Sequence, residues 1–536
     1  MYAPPSTFDP NELVRDDRLH RRIYTDPAVF EAELQRIHYR TWVYLAHESE
    51  IPNAGDFKCV YIGRQPLLVC RDKEGGVHVV FNRCTHRAAT VCQTRQGHAR
   101  MFTCAYHGWT FNLKGELVGV PWRDGYDSSY FHPEELGLVH IPRVDTYRGF
   151  IFGKLSLGGP SLAEHLAPAR QFMDEILDCA PGGDFYLRSG TQFSGYDGNW
   201  KIQVENQVDG YHAAFLHRSL FLVRQRRGGA KASSGGQAAD APGYALGNGH
   251  ACLDRRPAVG DVWFNWMMKQ PYGPAFHAEL CERYGAERAR ETMLRAPDAA
   301  INLTIYPNLH FFGVQVRVIR PIAVNRTEVT AQPIFWGKAP KEVNAMRLRV
   351  HEEFYGPAGF ASPDDMEVFN QVTDGLQCEA VEWLLLNRGL HRERVENGVP
   401  VSTNSDETPL RGQYAEWKRL MLAEDGGDGA TNGALKAARG SRGARRCSRS
   451  ARTCAGRSRT SSIRRRGCST RGGWTTGSPC SSRTCATGCP AMRTTSIPTP
   501  TSRSSTTTAC GWRRGCGASR TAASRTHRCR PRVCAT

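Results

Sequence analysis

Long apolar runs are missing from this 536-residue sequence, and acidic residues are missing from its last fifth. No stretch of about 18 consecutive apolar residues occurs, so we expect no membrane-spanning helix and no membrane partner. The first residues, MYAPPSTFDPNELVRDD, have no apolar centre, which argues against a secretory signal. Nine of the 19 cysteines precede position 435, too few for a disulfide scaffold, so the expected setting is the reducing cytoplasm.

Asp and Glu are absent from residues 435–536, which contain 22 Arg and one Lys. The other 434 residues carry 47 basic and 52 acidic groups, so the net charge of +18 comes from the tail. Arg, Ser, Thr and Cys make up 65 of the 102 tail residues, with one Leu, no Phe and no Tyr. Such a composition cannot bury enough apolar surface to fold, so residues 428–536 are predicted to be a disordered, low-complexity basic tail.

Two explanations of this tail stay open. Out-of-frame translation of a GC-rich gene produces a composition of this kind, whereas a genuine basic tail could bind nucleic acid. Ten cysteines without zinc-finger spacing and the near absence of Lys argue against the second explanation, so we expect no nucleic-acid partner. DNA sequencing separates the two, because a frameshift requires a stop codon in the correct frame close to the end of the preceding domain.

The rest of the chain predicts an α+β protein of three segments. Residues 1–40 are polar with apolar residues at helical spacing, and predict a helical segment. Residues 41–155 consist of short β-branched runs broken by turns such as GRQP and KEGG, and predict an all-β domain. Residues 160–427 mix helical and strand patterns, and three long antiparallel strands are expected within 301–336.

Four metal-binding side chains in the all-β segment are spaced in pairs. In CTHRAATVCQTRQGHARMFTCAYHGW, Cys84 and His86 form C-x-H, and Cys104 and His107 form C-x2-H after seventeen intervening residues. A Rieske [2Fe–2S] cluster needs two thiolates on one iron and two imidazoles on the other, so each pair would give one ligand to each iron. Structural zinc and unrelated core residues are the alternatives, although zinc fingers usually place both Cys before both His.

A second group of candidate ligands lies in NWKIQVENQVDGYHAAFLH, which contains Asp209, His212 and His217. On a helix Asp209 and His212 would share one face, whereas the two histidines would lie about 140° apart. Both can bind one metal only if the helix bends, bulges or ends between them. Two His and one carboxylate on one face of an iron leave the other face open for O2 and substrate, so a third ligand must come from elsewhere. Ordinary core or surface histidines are the alternative.

With these motifs the chain resembles the Rieske-type oxygenases, from about residue 20 to 425. The segments WVYLAHESEIP, YIGRQPLLV, CAYHGWTF, GNWK, DGYH, YPNLHF and SPDD are similar to the large (α) subunit of aromatic-ring-hydroxylating dioxygenases. The benzoate, toluate, halobenzoate and anthranilate branch is the most similar. This resemblance implies an N-terminal Rieske domain followed by a catalytic domain with a curved antiparallel sheet and helices, of the helix-grip type.

The resemblance also supplies the third iron ligand. It implies Asp365, in GFASPDDMEVF, in preference to Asp364. The alternative for both residues is a helix cap, since Ser-Pro-Asp-Asp is a typical start of a helix.

Two further residues near the histidines acquire a role by resemblance. Asp209 would not be a ligand; it would hydrogen-bond His212 and, across a subunit boundary, His107 of a partner subunit, giving electrons a short path. Asn206 either faces the iron or makes an ordinary amide hydrogen bond.

The implied activity adds both atoms of O2 to an aromatic, benzoate-like substrate and gives a cis-dihydrodiol or catechol. Electrons would pass from NADH through a separate reductase, with or without a ferredoxin, to the [2Fe–2S] cluster and then to a mononuclear non-haem Fe(II). The implied assembly is an α-subunit homotrimer with small (β) subunits. An aromatic acid needs a cation in its pocket, but Arg218 and Arg320 could equally be surface or strand residues.

Three other functions are weighed against this one. A Rieske-type monooxygenase or demethylase would use the same metal centres. An electron-carrier ferredoxin would need only the all-β domain, and a zinc-binding structural protein would need no second metal site. The ligands at 209–217 and the long segment that contains them argue against the last two.

Overall fold

The computed structural model describes residues 8–226, 241–356 and 358–423. The predicted tail at 428–536 lies outside these residues, as do both explanations of it. In the described ranges, no helix combines the length and apolar character that a bilayer crossing requires.

The N-terminal segment contains the predicted helix and two strands that the sequence did not predict. Asp26 caps helix Pro27–Glu33 by accepting a hydrogen bond from the backbone N–H of Ala28 at 2.9 Å. The helix continues as a π-helical turn at Leu34–His38. The unpredicted strands are too short to show an alternating pattern; they pair with each other, and the second also pairs with a strand far along the chain. The other elements are helices Pro10–Leu13 and Arg22–Thr25, and the paired strands Val14–Arg15, Arg18–His20 and Trp383–Leu385.

The segment that follows is all-β, as the sequence predicts, and is built from three small antiparallel sheets. In spatial order, the sheets are Val77–Phe81, Gln65–Arg71, Asp56–Ile62 and Gln96–His98; Leu117–Gly119, Thr110–Phe111 and Phe102–Thr103; and Arg143–Tyr147, Phe150–Lys154 and Val43–His47. The third sheet packs through its buried aromatic residues against the catalytic sheet, which attaches the two domains to each other.

A nine-stranded antiparallel sheet forms the centre of the catalytic domain. In spatial order its strands are Gln192–Tyr196, Arg326–Pro333, Gln315–Ala323, Leu309–Phe312, Ile301–Ile305, His250–Asp254, Pro242–Gly247, Val399–Thr403 and Arg394–Glu396. The expectation of three long strands within 301–336 is wrong, because the sheet draws four of its strands from this stretch. The extra turn contains Asn308, whose side chain exchanges two hydrogen bonds with the backbone of Tyr44 in the β domain, at 2.9 and 3.0 Å. That contact joins residues 264 positions apart, so a local sequence pattern cannot predict it.

Helices surround this sheet. The helices are Leu162–Leu166, Arg170–Leu177, Trp200–Asn206, Ala213–Leu216, Arg218–Arg226, Arg256–Val259, Val262–Met268, Gly273–Tyr284, Ala286–Arg295, Lys341–Val350, Ser362–Gly375 and Thr408–Leu422, with a π-helical turn at His351–Tyr355. Two short strands, Phe185–Tyr186 and Phe335–Trp336, pair beside them.

A buried polar cluster joins the N-terminal helix Pro27–Glu33 to two of these helices, Trp200–Asn206 and Thr408–Leu422. Glu33, at the end of the N-terminal helix, is fully buried. It accepts hydrogen bonds from Trp200 Nε1 at 2.8 Å, from Lys201 Nζ at 2.6 Å and from Trp417 Nε1 at 2.7 Å. A buried charge is tolerated when it is paired and fully hydrogen-bonded, and this one fixes the helix that leads into the second metal site.

Candidate metal centres

The two Cys–His pairs lie in loops with the same backbone hydrogen bonds. In each loop the cysteine N–H donates to the carbonyl five residues later at 2.8 Å, and the N–H four residues later donates to the cysteine carbonyl, at 3.1 and 2.9 Å. The residue four after the cysteine is Ala88 in one loop and Gly108 in the other, with left-handed φ values of 65° and 71°. The two loops are therefore equivalent turns, although one is C-x-H and the other C-x2-H.

The loops place thiols inside and imidazoles outside. Cys84 and Cys104 are both 2% exposed and form no disulfide. Burial, together with the neighbouring Cys104 thiol, raises the pKa of Cys84. The rings of His86 and His107 lie 4.5 Å apart between centroids, and His107 is exposed. Trp109 stacks on His86 at 4.7 Å and shields that side of the site.

This donor set fits a two-iron cluster better than a single ion. Among the residues that the structure describes, one group of three or more possible ligands has all its ligand atoms within 4.8 Å of one another, and it lies elsewhere. The Cys and His atoms therefore do not meet around one point, as tetrahedral zinc would require. Nδ1 of His86 is buried without a hydrogen-bond partner, as expected of an atom that binds metal. Paired inner thiolates and outer imidazoles match the Rieske arrangement.

The group that does converge is the predicted second centre. Nε2 of His212 and Nε2 of His217 lie 3.7 and 3.3 Å from Oδ1 of Asp365, and the two rings are 5.3 Å apart at 80°. Asp365 and His217 are buried, and His212 is partly exposed. Two imidazoles and one carboxylate on one side of a point are the donor set of a non-haem iron site.

The backbone meets the condition that the sequence imposed on the histidines. Helix Ala213–Leu216 is a single turn that begins after His212, and at His217 the backbone leaves helical geometry, with φ −93° and ψ 27°. A new helix starts at Arg218. The helix thus ends at the second histidine, and the two rings, which an ideal helix would direct about 140° apart, lie 5.3 Å apart.

Asp209 sets the tautomer of His212. Its Oδ2 lies 3.2 Å from His212 Nδ1, and its Oδ1 accepts from the backbone N–H of Tyr211 at 2.8 Å. A carboxylate can only accept, so Nδ1 carries the proton and Nε2 keeps a lone pair directed at Asp365. Burial disfavours the charged imidazole, but the Asp209 carboxylate outweighs it and raises the pKa of His212.

Asn206 and Asp364 complete the surroundings of the site. Nδ2 of Asn206 donates to Asp365 Oδ1 at 3.2 Å and lies 3.3 Å from His212 Nε2, so this amide both faces the site and makes a hydrogen bond. Oδ2 of Asp364 lies 3.5 Å from Nδ1 of His217, and neither atom has a hydrogen-bond partner. Neither carboxylate caps its helix, which has no side-chain cap. Asp364 thus lies on the Nδ1 side of His217, as Asp209 lies on the Nδ1 side of His212, but Asp364 makes no hydrogen bond there.

One buried cation near this site was not predicted from the sequence. Arg218 is exposed, and Arg320 forms an ion pair with Glu328 at 2.7 Å. Arg317 is 2% exposed and donates to Ser362 Oγ at 2.9 Å. A signal existed, because residues three apart in a strand point to opposite faces, so Arg317 and Arg320 cannot both face solvent.

A cluster site on β loops, followed by a two-histidine, one-carboxylate site beside an antiparallel sheet, defines a Rieske non-haem iron oxygenase. The Rieske [2Fe–2S] domain family matches residues 41–133, and the catalytic domain of ring-hydroxylating α subunits matches residues 176–422. The boundaries predicted at 40, 155, 160 and 427 stay predictions.

Two curated relatives and one solved structure are similar over most of their length. The chain is 36% identical to the 2-halobenzoate 1,2-dioxygenase large subunit of Burkholderia cepacia, over 69% of this chain and 80% of the relative. It is 33% identical to the anthranilate 1,2-dioxygenase large subunit of Acinetobacter baylyi, over 80% and 93%. Naphthalene 1,2-dioxygenase from Rhodococcus sp., bound to indole, has a TM-score of 0.64 and 26% identity, over 76% of this chain and 95% of that one.

The chain belongs to the family of aromatic ring-hydroxylating dioxygenase α subunits. It is an oxidoreductase with a Rieske [2Fe–2S] cluster and a mononuclear non-haem iron, supplied with NADH electrons by a separate reductase. The predicted family and α+β fold class are confirmed. The ferredoxin and zinc-protein alternatives are wrong, and the monooxygenase or demethylase alternative is not favoured.

Proposed function

We propose that this α subunit oxidises a benzoate-like aromatic carboxylate and gives a cis-dihydrodiol or a catechol. The observation that carries the proposal is the convergence of ligand atoms of His212, His217 and Asp365 within 4.8 Å of one another. The two relatives support the substrate class, since both are named for dioxygenases of aromatic carboxylates. When bound at this site, iron would supply the activation of O2.

Each candidate residue then has a defined task. Asp209 keeps the proton of His212 on Nδ1, so that Nε2 can bind metal. Asn206 donates to Asp365 Oδ1 and fixes the carboxylate. Asp364 places a carboxylate oxygen 3.5 Å from Nδ1 of His217, on the side of the ring away from Asp365. The residues assigned to the [2Fe–2S] cluster are Cys84, His86, Cys104 and His107, and those assigned to the mononuclear iron are His212, His217 and Asp365.

Electron transfer between subunits is the natural use of the exposed cluster ligand. The ring of Tyr106, which is 65% exposed, lies 3.8 Å from the ring of His107, and Trp122 is 89% exposed. On the other side, Phe215 is 71% exposed and its ring lies 5.6 Å from that of Tyr211, whose backbone N–H donates to Asp209. Apolar surface of this kind marks interaction sites. We infer an α homotrimer in which His107 of one subunit meets Asp209 of the next, with small (β) subunits attached, in the cytoplasm where NADH is available.

Isotope labelling tests the proposed reaction. The protein is supplied with a reductase, NADH and 18O2, and is offered benzoate, salicylate and anthranilate. Two labelled oxygens in one product support the proposal, whereas a single labelled oxygen would indicate a monooxygenase.

Variants then test the assigned ligands. The double variant H212A/H217A should keep the visible spectrum of the cluster but lose the additional iron and all turnover. His277→Ala, on a helix away from both centres, is the matched control. Full turnover by the double variant would show that these ligands are wrongly assigned.

A further inference from the structure

The inner face of the catalytic sheet carries buried polar groups that the iron site does not use. His310 and Arg317 are paired across two neighbouring strands, and Gln315 lies on the same face two positions from Arg317. All three side chains are at most 2% exposed. Nε2 of His310 and both amide atoms of Gln315 have no hydrogen-bond partner. Buried polar atoms are nearly always satisfied, so the atoms on this face are expected to bind water or a polar ligand.

Arg317 is the charged member of this group. Its Nη2 donates to Ser362 Oγ at 2.9 Å, and its guanidinium lies 5.4 and 5.2 Å from the ring centroids of Phe312 and Tyr355. No carboxylate of the described residues lies within 4.0 Å of it, and its Nε and Nη1 have no hydrogen-bond partner among them. Arg stays charged in proteins, and its buried charge is opposed by the carboxylate of Asp365, which a bound metal would share, so a further anion is expected here.

His310 cannot be a competing cation at this position. Burial, together with the charge of Arg317, lowers the pKa of His310 to about 3, so this imidazole is neutral. Its Nδ1 is 3.0 Å from the hydroxyl of Thr304, which leaves Nε2 available to a ligand.

The guanidinium and the iron ligands border the same region. Ser362, which holds Arg317, and Asp365 lie three residues apart on one face of the same helix. Phe354 and Tyr355 also lie between the iron ligand His217 and Arg317. The ring of Phe354 lies 6.1 Å from that of His217 and 4.4 Å from that of Tyr355. An aromatic ring placed among these side chains would have the iron site at one end and Arg317 at the other.

We propose that Arg317 binds the carboxylate of the aromatic substrate. The guanidinium fork presents two parallel N–H donors that match a carboxylate, and Phe312, Phe354 and Tyr355 pack around the ring. A neutral arene offers no acceptor to the guanidinium, so this residue selects acids over uncharged rings of the same shape. The inference rests on the proposed aromatic-acid substrate.

Binding measurements on the reduced, anaerobic holoenzyme test this assignment. Benzoate and benzamide are titrated calorimetrically into the unsubstituted protein, Arg317→Gln and Arg320→Gln. Arg320 is the matched control, since it lies on the same strand but points to the opposite face and pairs with Glu328. Benzoate should bind Arg317→Gln at least about 100-fold more weakly, with benzamide unaffected and Arg320→Gln unchanged. The same variant should raise KM for benzoate and keep its iron and its cluster spectrum.

The outcomes separate this inference from the proposed function. Unchanged benzoate binding by Arg317→Gln, with benzoate still oxidised, would overturn the inference and leave the proposed function in place. Loss of iron from Arg317→Gln would also overturn it, because the guanidinium would then be a counter-charge for Asp365. Oxidation of naphthalene but of no aromatic acid by the unsubstituted protein would refute the proposed substrate and the inference together.

Two further measurements decide the question if Arg317→Gln does not fold. Arg317→Lys keeps the charge but loses the fork, so benzoate should bind at least about tenfold more weakly. In the unsubstituted protein, benzoate should bind far more tightly than benzamide. Equal affinity for the two would contradict the assignment without any variant.

Discussion

Replacing Asp209 by asparagine should weaken iron binding although the side chain keeps its shape. The carboxylate uses one oxygen for the N–H of Tyr211 and the other for Nδ1 of His212. Asparagine has one acceptor and one donor, so it cannot accept both hydrogen bonds. If its oxygen stays on Tyr211, its amide N–H faces Nδ1, and the proton of His212 moves to Nε2, where it points at Asp365. The opposite rotamer places two donors together at Tyr211.

The magnitude follows from this exchange. Groups that hydrogen-bond the second ring nitrogen of a metal-binding histidine typically contribute 10–100-fold to metal affinity. Because the substitution reverses the tautomer, we expect the upper end of that range, about 100-fold or ~3 kcal/mol. Fe(II) affinity is measured by titration of iron-depleted protein, with the cluster spectrum as a check on folding. Asp197→Asn is the control, since that side chain is 79% exposed. Wild-type Fe(II) affinity in Asp209→Asn would refute the tautomer argument.

Three further predictions concern stability, each measured by chemical denaturation. Glu33→Gln should lower the free energy of unfolding by about 3–5 kcal/mol, because Lys201 would remain buried without its partner. Ala88→Gly should raise the free energy of unfolding by about 1 kcal/mol, because the backbone φ at this position is 65°. Gly108→Ala should lower the free energy of unfolding, because the new Cβ would lie 2.8 Å from a side-chain carbon of Pro121. Burial raises the pKa of Glu205 from 4.5 to about 7, so the unsubstituted protein should lose stability as pH rises through that interval. Glu205→Gln should remove this loss, a difference of about 3 kcal/mol at pH 8.

Each of these predictions has a result that contradicts it. Glu31→Gln, in an exposed ion pair, should lower the free energy of unfolding by at most about 1 kcal/mol. A similarly small loss for Glu33→Gln would show that the buried polar cluster does not stabilise the fold. Equal destabilisation by Ala88→Gly and Gly108→Ala would show that the two loops are not equivalent turns. Parallel pH profiles of Glu205→Gln and the unsubstituted protein would show that this carboxyl titrates normally.

Local spacing accounted for the cluster site. Each Cys–His pair lies within a single turn, so its geometry depends on a few neighbouring residues, and the structure brings all four side chains to adjacent loop ends. His212 and His217 could also be predicted from local spacing, and the same spacing indicated that the helix must be interrupted. Asp365 could not be derived in this way; it came from resemblance, because its contact with Asn206 joins positions 159 residues apart.

The sequence by itself determined the α+β class, the two candidate ligand groups and the anomalous composition of the tail, all of which are local or compositional properties. Only the tertiary structure decided that Asp365 and not Asp364 faces both imidazoles, that the sheet takes four strands from 301–336, and that Arg317 and not Arg218 or Arg320 is the buried cation. The physical reason is that these outcomes depend on strand register and helix packing. Both are set by contacts between distant parts of the chain, and one step of register reverses which side chain is inside.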